Sequence, residues 1–167
     1  MRADEIRQLF AYNAWATGRI LAAAEGLGEA DYEAVVPGVS HGSIRATLTH
    51  MLGAEEIWRR RCLEGVSPTT LLGAADVPTL AALRDRWAIE EAAWHDGLTT
   101  LTDEALAAPL AYRTTRGVPM VDTLWQVLVH VVNHGTQHRA EAAVALSALG
   151  RSPGDVDYII YLRQGAA

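Results

Sequence analysis

Three histidines spaced four residues apart are the side chains of this chain best suited to chemistry. His130, His134 and His138 fall within nine residues. Four residues of α-helix turn the chain by about 400° and advance it by about 6 Å, so the three imidazoles share one helical face. Neutral imidazole is a ligand for zinc, nickel and ferrous iron. The spacing therefore predicts that this face binds a divalent metal ion, provided that it looks into a protected interior.

One helix cannot easily supply three ligands to one ion. His130 and His138 are separated by about 12 Å along the helix axis, whereas imidazoles one turn apart converge. Periodicity leaves open whether the binding pair is His130 with His134 or His134 with His138. A catalytic site with an open position needs about three protein ligands, so the third must come from another helix. We expect His50, in the middle of an earlier helix, to supply it.

The other histidines are weaker candidates for the site. His41 lies in a predicted loop and His95 stands beside Asp96 on another helix, so we expect both to be exposed. Two common metal motifs are absent. Zinc peptidases place Glu directly after the first histidine, where this chain has Gly135 or Val131. Di-iron bundles use Glu-x-x-His on two helices, and that motif does not occur in the sequence.

Four long amphipathic helices must position these side chains. Apolar residues recur at spacings of three and four along each of them, and the predicted helices run from about Ala3 to Glu25, Ile44 to Glu64, Thr79 to Leu101 and Thr123 to Leu149. We expect Ser43 and Asp122 as N-caps and Gly150 as a helix stop. Residues 109–120 predict a short hairpin or an extended loop, and Asp155 to Gln164 a short terminal helix. The pattern indicates an all-α protein whose 167 residues form one four-helix-bundle domain.

Composition restricts the partners. A net charge of −6 leaves no basic surface for nucleic acid or an anionic membrane, and no apolar run is long enough to span a bilayer. The fourteen basic residues are all Arg, which excludes lysine Schiff-base chemistry. Cys62 is the only cysteine, so neither an intrachain disulfide nor a cysteine-rich zinc site can form. With no recognisable signal peptide, we expect a cytoplasmic protein acting on a small molecule.

The sequence also suggests roles for several other side chains. Arg59, Arg60 and Arg61 are interpreted as a solvated last helical turn. Arg139, directly after His138, can hold a carboxylate with its planar guanidinium, and we favour one of the protein's own. Each of the five tryptophans either packs in the bundle core or lines a pocket over the metal, and we favour the core. They are Trp15, Trp58, Trp87, Trp94 and Trp125.

The chain resembles the DinB/YfiT-like family of damage-inducible metalloenzymes along nearly its whole length. The resemblance is carried by Leu48-x-His50 after a Gly-Ser helix start, by His130-Val-Val-Asn-His134-x-x-x-His138-Arg139, and by Gly150-x-x-Pro153 with Asp157-Tyr158 near the end. Carried over by position, the implied metal ligands are His50, His134 and His138, with His130 in a supporting role. Where the family often has Gly-Gln after His-Arg, this chain has Ala140-Glu141. The resemblance also implies a homodimer.

Relatives in this family include thiol-dependent enzymes: bacillithiol S-transferases and a mycothiol-dependent maleylpyruvate isomerase. The resemblance therefore implies a metal-dependent enzyme in which zinc, nickel or iron activates a low-molecular-weight thiol for transfer to an electrophile or for isomerisation. Such chemistry needs no protein nucleophile, and Cys62 is read as a packing or surface residue. Two alternatives remain at this point: hydrolysis by a metal-activated water, and a stress-related bundle in which a metal is only structural.

Overall fold

The computed structural model describes residues 1–164. Within them the chain forms seven α-helices and one β-hairpin. The helices are α1 (Ala3–Ala24), α2 (Glu29–Glu33), α3 (Ile44–Leu63), α4 (Leu80–Thr99), α5 (Asp103–Ala107), α6 (Leu124–Ala148) and α7 (Tyr158–Gln164). The hairpin joins β1 (Pro109–Arg113) to β2 (Pro119–Thr123), with Pro109 opposite Thr123 and Arg113 opposite Pro119. A single 3₁₀ turn covers Ala74–Asp76.

The four long helices form the predicted bundle. Helix α6 packs against α1 and α3, and α4 packs against the same two helices from the other side. Their bounds match the sequence prediction to within two residues, because the apolar periodicity and the capping residues mark the ends clearly. The Ser43 hydroxyl accepts a hydrogen bond from the Ala46 backbone N–H at 3.1 Å, as expected of an N-cap. No helix among residues 1–164 has both the length and the apolar character needed to cross a membrane.

The ends of α6 show one correct and one wrong prediction. Gly150 stops the helix with φ of +74°, and the next backbone N–H, of Arg151, returns to the Leu146 carbonyl at 2.9 Å. At the other end Thr123, not Asp122, stands at the N-cap. Asp122 belongs to β2 instead, where its carboxylate accepts a hydrogen bond from the Tyr112 hydroxyl at 2.8 Å. Tyr112, diagonally across the hairpin, therefore uses the carboxylate that would otherwise have capped the helix.

Two one-turn helices lie in segments that the sequence predicts to be loops. Both α2 and α5 have only five residues, too short for a periodic apolar signal. Helix α5 does begin at a capping residue, because the Thr102 hydroxyl accepts from the Ala105 backbone N–H at 3.2 Å. Each buries one large side chain, Tyr32 from α2 and Leu106 from α5. These short helices close the ends of the bundle.

A polar layer crosses the bundle between two apolar clusters. One cluster is centred on Ile20, Leu52 and Leu146, and the other on Phe10 and Leu128. Between them, at the middle of the long helices, lie buried polar side chains: Asn13 and Thr17 on α1, Glu55 on α3 and Arg139 on α6. Burying polar groups is favourable only when they are hydrogen-bonded. We call this layer the polar core. Its member on α6, Arg139, directly follows His138 of the histidine face.

Candidate metal centre

The histidine face of α6 turns towards α3. The ring centroids of His134 and His138 are 4.5 Å apart, and those of His130 and His134 are 5.8 Å apart. His138 is 4% exposed, His134 is half-buried and His130 is the most accessible of the three. The face therefore runs from the protein interior at His138 to the surface at His130.

Helix α3 brings the predicted fourth imidazole to the same place. His50 Nε2 lies 3.1 Å from His134 Nε2, and the His50 ring centroid is 4.8 Å from that of His138. Two imidazole nitrogens bound to one tetrahedral zinc at about 2.1 Å would be about 3.4 Å apart. The spacing of His50 and His134 is close to that value, so the residues present fit a divalent metal. The rings of His50, His134 and His138, the set that the resemblance implied, lie close together, and that they form the ligand set stays a prediction.

His41 also joins the cluster, which the sequence did not predict. We expected an exposed loop residue. Its ring instead stacks on His50 with centroids 3.9 Å apart, and lies 5.1 Å from that of His138. Ring nitrogens of His41, His50 and His138 all lie within 4.8 Å of one another, close enough to hold one ion. His50, His134 and His138 from helices and His41 from a loop thus give four imidazoles at the candidate site, and His130 lies at its outer edge.

The loop that carries His41 is fixed to α6 by Glu141. Ser40 donates to Glu141 Oε2 from its hydroxyl at 2.7 Å and from its backbone N–H at 3.3 Å. The same oxygen lies 3.2 Å from His138 Nδ1. A carboxylate can only accept, so Nδ1 of His138 is the donor and Nε2 is left with its lone pair for a metal. Although desolvation opposes them, these hydrogen bonds lower the pKa of Glu141.

Burial keeps the central imidazoles neutral. Desolvation, reinforced by the neighbouring histidines, lowers the pKa of His50 and of His134 to about 4. Burial also lowers the pKa of His41 and of His130. Neutral imidazole is the form that ligates metal ions. At pH 7 the cluster therefore presents nitrogen lone pairs rather than a set of mutually repelling imidazolium ions.

Comparison with known proteins identifies the family of this chain. Residues 1–165 match the DinB family. The chain belongs to the DinB family. It is 29% identical over 174 aligned residues to Protein DinB of Bacillus subtilis (strain 168), an alignment that covers 96% of this chain and 95% of that protein. The resemblance inferred from the histidine motifs is therefore confirmed over the whole chain.

A cleft of about 200 Å³ opens beside the cluster of this DinB-family chain. Two ligand candidates of the family, His50 and His134, line it together with His130. The remaining lining side chains are apolar, hydroxyl-bearing or basic: Ala54, Ile57, Trp58, Arg61, Leu71 and Thr115. No carboxylate of residues 1–164 lines the cleft. Among the five tryptophans only Trp58 borders it, with its ring 5.4 Å from that of His130.

The arginine triplet at the end of α3 differs from the predicted solvated turn. Only Arg60 is exposed. Arg59 is half-buried and donates from Nε to Glu90 Oε1 at 2.7 Å, and it also contacts Glu64. Arg61 is 5% exposed and lines the cleft. A run of three like charges does not indicate which of them faces inward, because this depends on the neighbouring α4 and the hairpin.

Arg139 is a member of the polar core rather than of the metal cleft. It donates to Asn13 Oδ1 and, at 2.9 Å, to the Thr136 hydroxyl. Asn13 in turn donates to Glu55 Oε1 at 2.8 Å. We predicted a carboxylate partner; an amide stands between Arg139 and the nearest one. A Cβ atom on Gly135 would lie 2.7 Å from Arg139 Nη1, so this glycine is required for the network.

Cys62 fits its predicted packing role. It is half-buried among apolar side chains, and burial raises the pKa of its thiol to about 12. The thiolate is the nucleophilic form of cysteine. A thiol held protonated at pH 7 is a poor nucleophile, and Cys62 does not line the cleft.

Proposed function

We propose that this DinB-family protein is a metal-dependent enzyme that activates a low-molecular-weight thiol. The activated thiol is either transferred to an electrophile or used to isomerise that electrophile. One observation carries the proposal: a cluster of half-buried imidazoles, kept neutral by desolvation, borders a small cleft in which residues 1–164 place no carboxylate. The family's thiol-dependent relatives supply the choice of substrate. Bacillithiol and mycothiol belong to the substrate class we expect.

Each residue has a defined part in this proposal. His50, His134 and His138 would hold zinc, nickel or ferrous iron, and Glu141 orients the His138 ring through Nδ1. A divalent metal with an open position lowers the pKa of a bound thiol and favours its thiolate. The walls of the cleft, including Trp58, restrict water and position the electrophile beside the sulfur. Cys62 plays no part, since its thiol stays protonated.

Cobalt(II) loading tests the proposal. Cobalt gives visible absorption bands that report coordination number, and a bound thiolate adds a sulfur-to-cobalt charge-transfer band. We expect one cobalt per chain and a new charge-transfer band on titration with small thiols. His95→Ala serves as the matched control, because His95 is exposed and lies on α4, outside the cluster. The proposal is wrong if cobalt binds and no thiol changes its spectrum, and a parallel panel of ester and amide substrates then tests metal-activated water instead.

His41 supports a second candidate function. With its ring nitrogens near those of His50 and His138, His41 is placed to act as a fourth protein ligand. Four imidazoles would close a tetrahedral site, which is typical of structural zinc. The protein would then be a non-enzymatic metal-binding bundle. If thiols leave the spectrum of the cobalt-loaded wild type unchanged but bind to cobalt in His41→Ala, then His41 is a fourth ligand that closes the site.

Assembly and location have different supports. We propose a homodimer, as the resemblance implies, and a cytoplasmic location, as the sequence predicts. Light scattering on the purified full chain measures the mass directly, against 18.0 kDa for one chain. A mass near that of a single chain at micromolar concentration would contradict the dimer.

A further inference from the structure

Arg61 is a buried guanidinium without a partner. It is 5% exposed, yet no residue of 1–164 forms a hydrogen bond or an ion pair with its side chain, and its Nε is fully enclosed. Its neighbour Arg59 shows the usual arrangement, since that guanidinium is held by Glu90 and Glu64. A buried charge is strongly unfavourable unless it is paired and hydrogen-bonded. The Arg61 side chain therefore has hydrogen-bonding capacity that the described fold does not use.

Aromatic faces hold Arg61 in place without using its donors. Its guanidinium carbon lies 4.6 Å from the ring centroid of Trp58 and 5.2 Å from that of Tyr112. Stacking of this kind stabilises the cation and fixes the plane of the guanidinium. The carboxylate nearest to this stack in the hairpin, Asp122, already accepts from the Tyr112 hydroxyl. The N–H groups of Arg61 are thus oriented and left free.

The cleft itself is suited to an anion. Arg61 lines it together with His50, His130 and His134. Within residues 1–164, no acidic side chain lines it to neutralise the guanidinium. Arginine presents paired N–H donors that match the two oxygens of a carboxylate. A bound carboxylate would provide the missing hydrogen bonds and the missing counter-charge together.

We infer that Arg61 binds the carboxylate of the small molecule that occupies the metal cleft, so the substrates of this protein are carboxylic acids. This inference rests on the proposed function in one respect, that the cleft is the approach to the metal. The carboxylate belongs either to the thiol or to the electrophile. In both cases Arg61 is a binding residue that sets specificity, and it takes no part in the activation of sulfur.

Two thiols of equal length test the inference. The full chain loaded with cobalt(II) is titrated with 3-mercaptopropionate and with 3-mercapto-1-propanol, and the charge-transfer band gives each Kd. A charge-assisted pair of hydrogen bonds predicts that the acid binds at least about tenfold more tightly than the alcohol. Arg61→Met should remove this preference by weakening the acid alone. The matched control is Arg60→Met, which removes the adjacent exposed arginine and should leave the preference intact.

Metal-free protein provides an independent arm. Calorimetric titration with succinate, which has no thiol, should show binding that Arg61→Met abolishes. If succinate binds in this way while the two thiols bind alike, the carboxylate belongs to the electrophile rather than to the thiol. If neither thiol perturbs cobalt, thiol activation has failed, while the succinate titration still decides the role of Arg61. Should Arg61→Met fail to fold, Arg61→Lys replaces it, and we expect Lys to retain part of the preference. Equal binding of acid and alcohol to wild type, together with succinate binding that is absent or unaffected by Arg61→Met, would overturn the inference.

Discussion

Two buried arginines, Arg139 in the polar core and Arg61 in the cleft, differ in their partners. Arg139 is 1% exposed and donates to Asn13 and Thr136 inside the bundle. Arg61 is 5% exposed and only stacks on Trp58 and Tyr112. Both guanidinium pKa values are lowered, chiefly by desolvation. Burial is therefore similar, and the hydrogen bonds are what distinguish them.

The difference separates a structural region from a functional one. In the polar core, Arg139, Asn13 and Glu55 satisfy one another, as a network that stabilises a unique fold must. In the cleft, an unpaired guanidinium and a set of neutral imidazoles are left open to a ligand. Sites that break a local rule of folding without compensation inside the protein are expected to be functional. Substitutions in the two regions should consequently change different quantities.

The largest effect is expected in the metal cluster. Replacing His50, His134 or His138 with alanine should weaken metal affinity by about 1,000-fold or more. Groups that only orient a ligand contribute about 10- to 100-fold, and the loss of the ligand itself should cost more. His130→Ala should leave the metal bound, because His130 is assigned a supporting role. The measurement is competition for zinc against a chelator of known affinity. Equal losses for His130 and His134 would show that the two α6 ligands are misassigned.

Next in size is the effect of Arg139→Met on folding. Removing one partner from a buried charged network should lower the free energy of unfolding by about 3 kcal/mol or more, because Asn13 Oδ1 then loses its donor and Glu55 loses the nearby positive charge. Arg61→Met should change it by less than about 1 kcal/mol, since no intramolecular hydrogen bond is lost. Urea denaturation of the metal-free proteins measures both. A large loss for Arg61→Met would mean that Arg61 is structural and that the two arginines do not differ.

The polar core also predicts a pH dependence. Desolvation raises the pKa of Glu55 from its ordinary value of 4.5 to about 7, against the opposing effects of Asn13 and Arg139. Between these pH values the folded protein keeps a proton that the unfolded chain releases, so the free energy of unfolding falls as pH rises from 4.5 to 7. The isosteric variant Glu55→Gln should remove this slope and be more stable than wild type above pH 7, by roughly 2 to 3 kcal/mol. Glu56→Gln, one residue away and nearer the surface, is the control.

The smallest effect concerns Glu141. Glu141→Gln keeps the size of the side chain but weakens the acceptor for His138 Nδ1 and for Ser40. Groups that orient a metal ligand typically contribute about 10- to 100-fold to affinity, and we expect a loss in that range. Ser40→Ala should give a smaller loss. Unchanged zinc affinity in Glu141→Gln would remove the link between the His41 loop and the metal centre.

Much of this arrangement was accessible from the sequence. The period of apolar residues located all four long helices, and the His-x-x-x-His spacing with a lone helix-three histidine, His50, located the metal cluster. These features depend on contacts within one element or on regular helix packing. The predicted short terminal helix also occurs, beginning at Tyr158.

What could not be predicted depends on irregular tertiary contacts. His41 reaches the cluster because its loop is closed by the Val36 N–H bond to the Gly42 carbonyl at 2.7 Å and is held by Glu141. Arg61 faces inward because the hairpin supplies Tyr112 to its stack. Neither loop closure nor hairpin placement leaves a periodic signal. Gly135 lies on α6 between His134 and His138 and has no Cβ atom. A glycine at this position was the one feature of the local sequence to indicate that a neighbouring side chain, here Arg139, packs closely against the helix.

The most direct test is an anomalous-scattering map of a crystal of the metal-loaded protein. We expect one ion at the Nε2 atoms of His50, His134 and His138, with an open coordination position that faces the cleft and Arg61. An ion whose sphere is closed by His41 as a fourth protein ligand would support the structural alternative. No ion at the cluster, at stoichiometric metal, would contradict the central claim.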